Sequence, residues 1–240
     1  MIPQIQVRRN RIKSNSVRGR LPIMSYEIDC VKRLEKEEVI VIEATTGSGK
    51  STQLPQFFAR SDIFSGKKQQ FLDTIHYSTT KSLLGSQSYG KLIVSTQPVA
   101  FVAKSVAERV AKEYDNRTIG SRVGLITKTE NIFDPSQCQI LFVSDEKLVE
   151  LMISDDVLSR VSVLIIDEAH ERTLYTDVII SLARSIRKRR PNDFHVVISS
   201  ETIDEKRFLT FMQDFSSLPQ KMPFLPGLLS SSINKVQSLF

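Results

Sequence analysis

Two short runs in this 240-residue chain combine residue types and spacing suited to phosphate chemistry. The first is Ala44-Thr-Thr-Gly47-Ser-Gly49-Lys50-Ser51, which follows an apolar stretch and opens a helical one. Glycines in such a turn let successive backbone N–H groups face inward around phosphate oxygens. A following helix N-terminus adds partial positive charge. Lys50 is spaced to reach the β- and γ-phosphates, and the Ser51 hydroxyl to ligate Mg²⁺. Ala44 replaces the usual first glycine, at the position where the loop only begins. The second run is Asp167-Glu168-Ala169-His170, entered directly from Val161-Ser-Val-Leu-Ile-Ile166. An acid ending a hydrophobic strand is the second metal support of phosphate-loop enzymes. Asp167 suits Mg²⁺, through water, and Glu168 suits orienting and deprotonating an attacking water.

The elements around these runs must hold them on one side of a sheet. Val39-Ile-Val-Ile-Glu43 reads as a strand buried on both faces. Further strands are predicted at 91–95, 139–143, 161–166 and 194–198, with helices at 50–60, 145–153 and 173–189. Pro98 is predicted to open a helix with Val99, Val102, Ala103, Val106 and Val110 on one face. Alternating strands and helices imply an α/β fold of three layers: a mostly parallel sheet with helices on both faces. Ligands of such sheets gather at the carboxyl ends of the strands, where both runs lie.

Composition sets the outer limits. An apolar fraction of 40% supports a buried core. The net charge of +6 favours an anionic partner only slightly. Cys30 and Cys138 lack metal or redox spacing and read as small buried hydrophobes in a reducing compartment. Residues 1–20 have no apolar core for a secretory signal, and no stretch reaches membrane-span length. These features imply an intracellular protein, nuclear or cytoplasmic. Residues 1–20 read as a basic, flexible tail, residues 61–90 as a long insertion within a domain spanning 21–215, and residues 216–240 as a divergent tail. The run 184–190 is densely cationic and reads as a helix end complementing the helix dipole. His76 and His195 read as surface or sheet-edge residues.

Taken in order, Thr46-Gly-Ser-Gly-Lys-Ser-Thr-Gln-Leu-Pro-Gln56 and Asp167-Glu-Ala-His-Glu-Arg-Thr-Leu174 resemble the DEAH-box RNA helicases. Leu21-Pro22, Thr96-Gln97-Pro98, Ser105-Val-Ala-Glu-Arg-Val-Ala111 and Thr176-Asp177 extend the similarity. The resemblance implies a RecA-like ATP-binding domain that uses ATP and Mg²⁺ to remodel RNA. It assigns nucleotide binding to Thr45, Thr46, Gly47, Ser48, Gly49, Lys50, Ser51 and Thr52. It assigns adenine stacking to Arg109, a role suited to a planar guanidinium. Metal binding falls to Ser51, Asp167 and Glu168. Glu168 and Lys50 take catalytic roles, and His170 relays the nucleotide state to neighbouring motifs. Lys128 and Ser144 replace an arginine and a threonine that touch the RNA backbone.

The departures carry information too. Val99 and Ala100 stand where the family has two arginines that grip phosphates, which implies weakened RNA binding. The family's Ser-Ala-Thr motif is Ser200-Glu201-Thr202 here, and its added carboxylate implies repulsion near the phosphates and Asp167. No Gln-Arg-x-Gly-Arg run is present, and the chain ends where the family's second helicase domain begins. The implied partners are therefore RNA and a protein partner or second helicase domain. A nucleotide-binding module without autonomous unwinding is the alternative to a helicase ATPase. A small-molecule kinase would share the loop but would not need Asp-Glu-Ala-His.

Overall fold

The computed structural model describes residues 21–37, 39–61, 92–202 and 220–221. The strands are β1 (Val39–Glu43), β2 (Leu92–Gln97), β3 (Val123–Ile126), β4 (Asn131–Ile132), β5 (Ile140–Ser144), β6 (Val161–Ile166), β7 (His195–Ser200) and β8 (Gln220–Lys221). They form one sheet in the order β4-β3-β5-β2-β6-β7-β1-β8. Only β3 and β4 pair antiparallel; every other neighbouring pair is parallel. The helices are α1 (Glu27–Lys36), α2 (Lys50–Arg60), α3 (Ala100–Tyr114), α4 (Asp145–Ser154) and α5 (Leu174–Arg189). The mostly parallel α/β architecture read from the sequence is the one observed.

Side-chain alternation along the strands divides the core into layers. Val39 and Val41 of β1 join β2, β5, β6 and β7 in a cluster closed by Leu148, Leu151 and Met152 of α4 and Ile179, Ala183 and Ile186 of α5. Ile40 and Ile42 face the other way, against Cys30 and Leu34 of α1 and Leu54, Phe57 and Phe58 of α2. Phe57 and Phe58 are at most 1% exposed, and burial of each aromatic contributes about 1.5–3 kcal/mol. That packing holds α2, whose first turn follows the glycine loop, at a set depth on the sheet.

Helix α3 differs in part from its expected face. Its buried residues are Ala103, Ala107, Val110 and Ala111, packed on Val123, Leu125, Ile140 and Phe142 of β3 and β5. The alanines let the helix approach the sheet closely; Ala103 and Val110 of the expected face are buried and Val106 packs against the same cluster, joined by Ala107 and Ala111. Val99 is the extended residue before the helix, and Val102 is 41% exposed. Strand β3 escapes recognition because it is short and carries Gly124. A Cβ at Gly124 would lie 3.0 Å from Leu141 Cδ1 and 3.1 Å from Cys138 Sγ, so glycine there admits the neighbouring strand.

One further expectation meets the structure differently. His195 begins β7, which lies between β6 and β1 and not at a sheet edge; burial pushes its imidazole down to about 4. His76 lies outside the described residues. The cationic run ends α5 as expected, with Arg187, Lys188 and Arg189 in its last turn; Lys188 and Arg189 are exposed, and two arginines of the run turn inward. Arg187, buried, donates to the carbonyls of Arg190 (2.8 Å) and Phe194 (3.0 Å). Arg190, also buried, donates to those of Val157 and Leu158 and pairs with Asp193 at 2.9 Å. These two guanidiniums satisfy carbonyls of the α5–β7 and α4–β6 connections, so Arg187 and Arg190 serve the fold. Cys30 and Cys138 are buried as expected, and burial pushes both thiols up to about 12, which leaves them unreactive.

Candidate nucleotide site

The loop between β1 and α2 is shaped by two left-handed residues, Gly47 (φ 79°) and Gly49 (φ 99°). A Cβ at Gly47 would meet nothing within 4 Å, so conformation alone demands glycine there. Gly49 has a second reason: its Cβ would lie 3.0 Å from Leu21 Cδ1 and 3.2 Å from Ile23 Cγ2. The 3-10 turn Pro22–Tyr26 is thereby wedged beneath the loop, and Ile23 N–H donates to Ser48 O at 3.2 Å. Leu21-Pro22 is thus a buttress for the loop.

Lys50 is only 4% exposed, and its ammonium donates to the carbonyls of Ala44 (2.5 Å) and Thr45 (3.3 Å). Ser48 Oγ is buried without a hydrogen-bond partner. Thr52 is buried and its hydroxyl donates to Gly49 O at 3.3 Å, whereas Ser51 and Thr45 are half-buried and Thr46 is exposed.

The acidic run lies along the same edge, because β6 and β1 both run parallel to β7, which separates them. Asp167 is fully buried. Gln97, ending β2, donates through Nε2 to its Oδ2 at 2.6 Å, and Oδ1 has no hydrogen-bond partner. Glu168 has a left-handed backbone (φ 51°), a conformation that a non-glycine residue holds only at a cost of about 1–3 kcal/mol. Burial, then repulsion from Asp167, raises its carboxyl above the ordinary range, while Lys50 and His170 oppose that rise. His170 Nδ1 lies 3.5 Å from Glu168 Oε2. Lys50 and Asp167 are thus both near enough to act on the charge of Glu168.

These side chains fit a magnesium ion bound with a phosphate. Among the described residues no group of three His, Cys, Asp or Glu side chains could cage a metal. Magnesium does not need such a cage: it keeps several waters and takes one or two carboxylates besides phosphate oxygens. Asp167 offers a buried oxygen without a protein donor, and Ser51 and Glu168 stand at the same edge.

Other residues support the site from a distance, and sequence reasoning did not assign them. Glu113 of α3 accepts from Gln53 Nε2 (2.8 Å) and Gln56 Nε2 (3.1 Å) of α2, and from Arg109 Nε (3.0 Å). Burial opposes ionisation of Glu113, yet these bonds hold its carboxyl below the ordinary range. Arg109 remains half-exposed, with its guanidinium tied to Glu113 beside α2. Asp145 accepts from Thr176 Oγ1 at 2.7 Å and is raised, chiefly by burial. The glutamines stand in the run that carries the family resemblance; their complete burial was the signal of a structural role.

Lys128 and Ser144 lie on the carboxyl side of β3 and β5. Lys128 pairs with Glu146 at 3.0 Å and is 70% exposed, whereas Ser144 is buried at the start of α4. Val99 and Ala100 open an exposed apolar turn that includes Phe101, 78% exposed. Glu201 stands immediately after β7 and reaches the glycine loop. Its carboxylate accepts from Thr46 Oγ1 at 2.8 Å, and hydrogen bonds from Thr46, then Lys50 and His170, lower its pKa.

The family model for DEAD/DEAH box helicases matches residues 25–209. The chain belongs to the DEAD/DEAH box helicase family. Asp167-Glu-Ala-His170 marks this helicase domain as the DEAH form. It is 33% identical over 194 residues to "Probable ATP-dependent RNA helicase DHX35" of Homo sapiens, and equally to the protein of that name from Pongo abelii. Each match covers 81% of this chain and 24% of the relative, so the helicase domain spans about a quarter of those proteins. Among the described residues, no helix is long and apolar enough to cross a membrane.

Proposed function

We propose that this domain binds ATP with Mg²⁺ and hydrolyses it, and that the complete protein uses this cycle to remodel RNA. One observation supports the reading: the buried Lys50 of a left-handed glycine loop and the buried Asp167, which keeps one oxygen without a hydrogen-bond partner, both act on the charge of Glu168. The loop N–H groups of residues 45–52 and the start of α2 bind and orient phosphates. Lys50 exchanges its carbonyl partners for β- and γ-phosphate oxygens. Magnesium, when bound, screens phosphate charge, and Ser51, Asp167 and Glu168 would hold it. Gln97 fixes Asp167 by occupying its other oxygen. Glu168, raised towards neutrality, takes a proton from the attacking water more readily than an ordinary carboxylate. His170, beside Glu168, relays the state of the site, and Arg109 stacks on the adenine.

The test is calorimetric titration of Mg-ATP into the chain and into Lys50→Ala. The variant is expected to lose measurable affinity while still unfolding in one cooperative urea transition, which separates loss of the ligand contact from loss of the fold. Equal affinity in both proteins would refute the reading.

A second reading is a nucleotide-binding module without autonomous unwinding. Val99 and Ala100 in place of two phosphate-gripping arginines favour it, and so does Glu201. RNA contact at Lys128 and Ser144 belongs to the first reading. An RNA-stimulated ATPase assay separates them: stimulation supports the helicase ATPase, and nucleotide binding without turnover supports the module. Intracellular localisation, the domain limits at 21 and 215, and a protein partner or second helicase domain complete the proposal.

A further inference from the structure

Glu201 is held at the nucleotide site by contacts at three points. Strand β7 ends at Ser200, whose carbonyl accepts from Ala44 N–H at 3.0 Å and so fastens the strand end to the loop. The next residue is Glu201. Its Oε2 accepts from Thr46 Oγ1 at 2.8 Å and its Oε1 from Thr46 N–H at 3.4 Å, so both carboxylate oxygens rest on one loop residue. Its own N–H donates to His170 Nδ1 at 3.4 Å. Ser200 Oγ closes the turn by donating to Thr202 O at 2.7 Å. Because β7 separates β1 from β6, this carboxylate enters the gap between the glycine loop and the acidic strand end.

We propose that Glu201 is a specificity-determining residue of the nucleotide site: its carboxylate competes for the loop's donors with the terminal phosphate and biases the site against triphosphates relative to diphosphates. The inference rests on the nucleotide reading above. Thr46 precedes both left-handed glycines and is the loop residue that Glu201 engages, whereas Ser48 to Ser51 lead into α2. Phosphates seated on the start of α2 need not disturb Glu201. A further phosphate reaching towards Glu168 meets it, and must either displace the carboxylate from Thr46 or bear its charge. An alanine at this position, as the family pattern has, would present neither obstacle.

The experiment titrates fluorescent ATP and ADP analogues, with Mg²⁺, into the full chain and its Glu201→Gln and Glu201→Ala variants. Glutamine keeps the shape and a carbonyl for the Thr46 hydroxyl, so it isolates the charge. With the charge removed from a solvent-screened carboxylate, each variant is expected to bind the triphosphate about tenfold more tightly and the diphosphate less than about threefold more tightly. Urea melts of all three proteins establish that each is folded. Binding with the same ATP-to-ADP ratio in the parent and both variants would overturn this proposal and leave the nucleotide reading intact. No binding of either nucleotide by any of the folded proteins would overturn that reading, and this proposal with it.

Discussion

The chemistry of single residues here follows from which oxygens are already engaged. Asp167 presents one carboxylate oxygen to Gln97 and keeps the other free of protein donors, an arrangement suited to a charge supplied from outside the protein. Glu168 differs although it is the next residue: burial and Asp167 raise it, and no hydrogen bond fixes it as an anion. A support and a base thus arise from adjacent carboxylates in unequal surroundings. Replacing Glu168 by Gln removes the proton acceptor without changing the side chain's size. Since general-base catalysis contributes about 10²–10⁴-fold, Glu168→Gln should lower single-turnover ATP hydrolysis by at least about a hundredfold while leaving Mg-ATP affinity within about threefold. Unchanged turnover in that variant would assign proton removal to another group.

At the scale of elements, the contiguous parts of the site were legible and the assembled parts were not. The glycine loop and the Asp167 run are consecutive residues at strand ends, so their chemistry shows in the order of letters. Gln97 meets Asp167 across 70 positions, Glu113 meets Gln53 across 60, and Glu201 meets Thr46 across 155. Only the sheet order brings them together, and no local period encodes those meetings. The same holds for β7, where His195 read as a surface or sheet-edge residue because no partner for it is visible in the sequence. Its burial in the sheet has a thermodynamic consequence. An imidazole pushed down to about 4 from an unfolded value of about 6.5 is neutral when folded at pH 5, whereas the unfolded chain takes up a proton there. The unfolded state binds more protons across that window, so the contribution is complete above about pH 6.5 and is lost as pH falls towards 4. Between pH 7 and pH 5 the domain should lose roughly 1–2 kcal/mol from this group, read from urea midpoints. His195→Asn should flatten that part of the pH dependence, and a slope identical to the parent's would place the effect elsewhere.

Over the whole molecule, charge and shape disagree at the edge where the proposal puts RNA. The chain is basic, at +6, yet its carboxyl edge presents Val99, Ala100, Phe101 and Val102 to solvent, and Lys128 is already paired with Glu146. Nonspecific affinity for nucleic acid depends on the number of phosphates neutralised, not on net charge, so these losses count more than the total suggests. The turn after β2 is exposed and makes no core contact through Val99 or Ala100, so arginines fit there without disturbing α3, which is anchored by Ala103, Ala107 and Val110. Val99→Arg combined with Ala100→Arg should therefore raise affinity for a labelled single-stranded RNA in fluorescence anisotropy. Each phosphate contact on a single strand contributes about 0.7 to the slope of log affinity against log salt, so two new contacts should steepen it by about 1.4. A higher affinity with an unchanged slope would mean that the arginines act without touching phosphates. No change in either quantity would mean that RNA does not cross this edge, and would leave the apolar turn as a surface for some other contact.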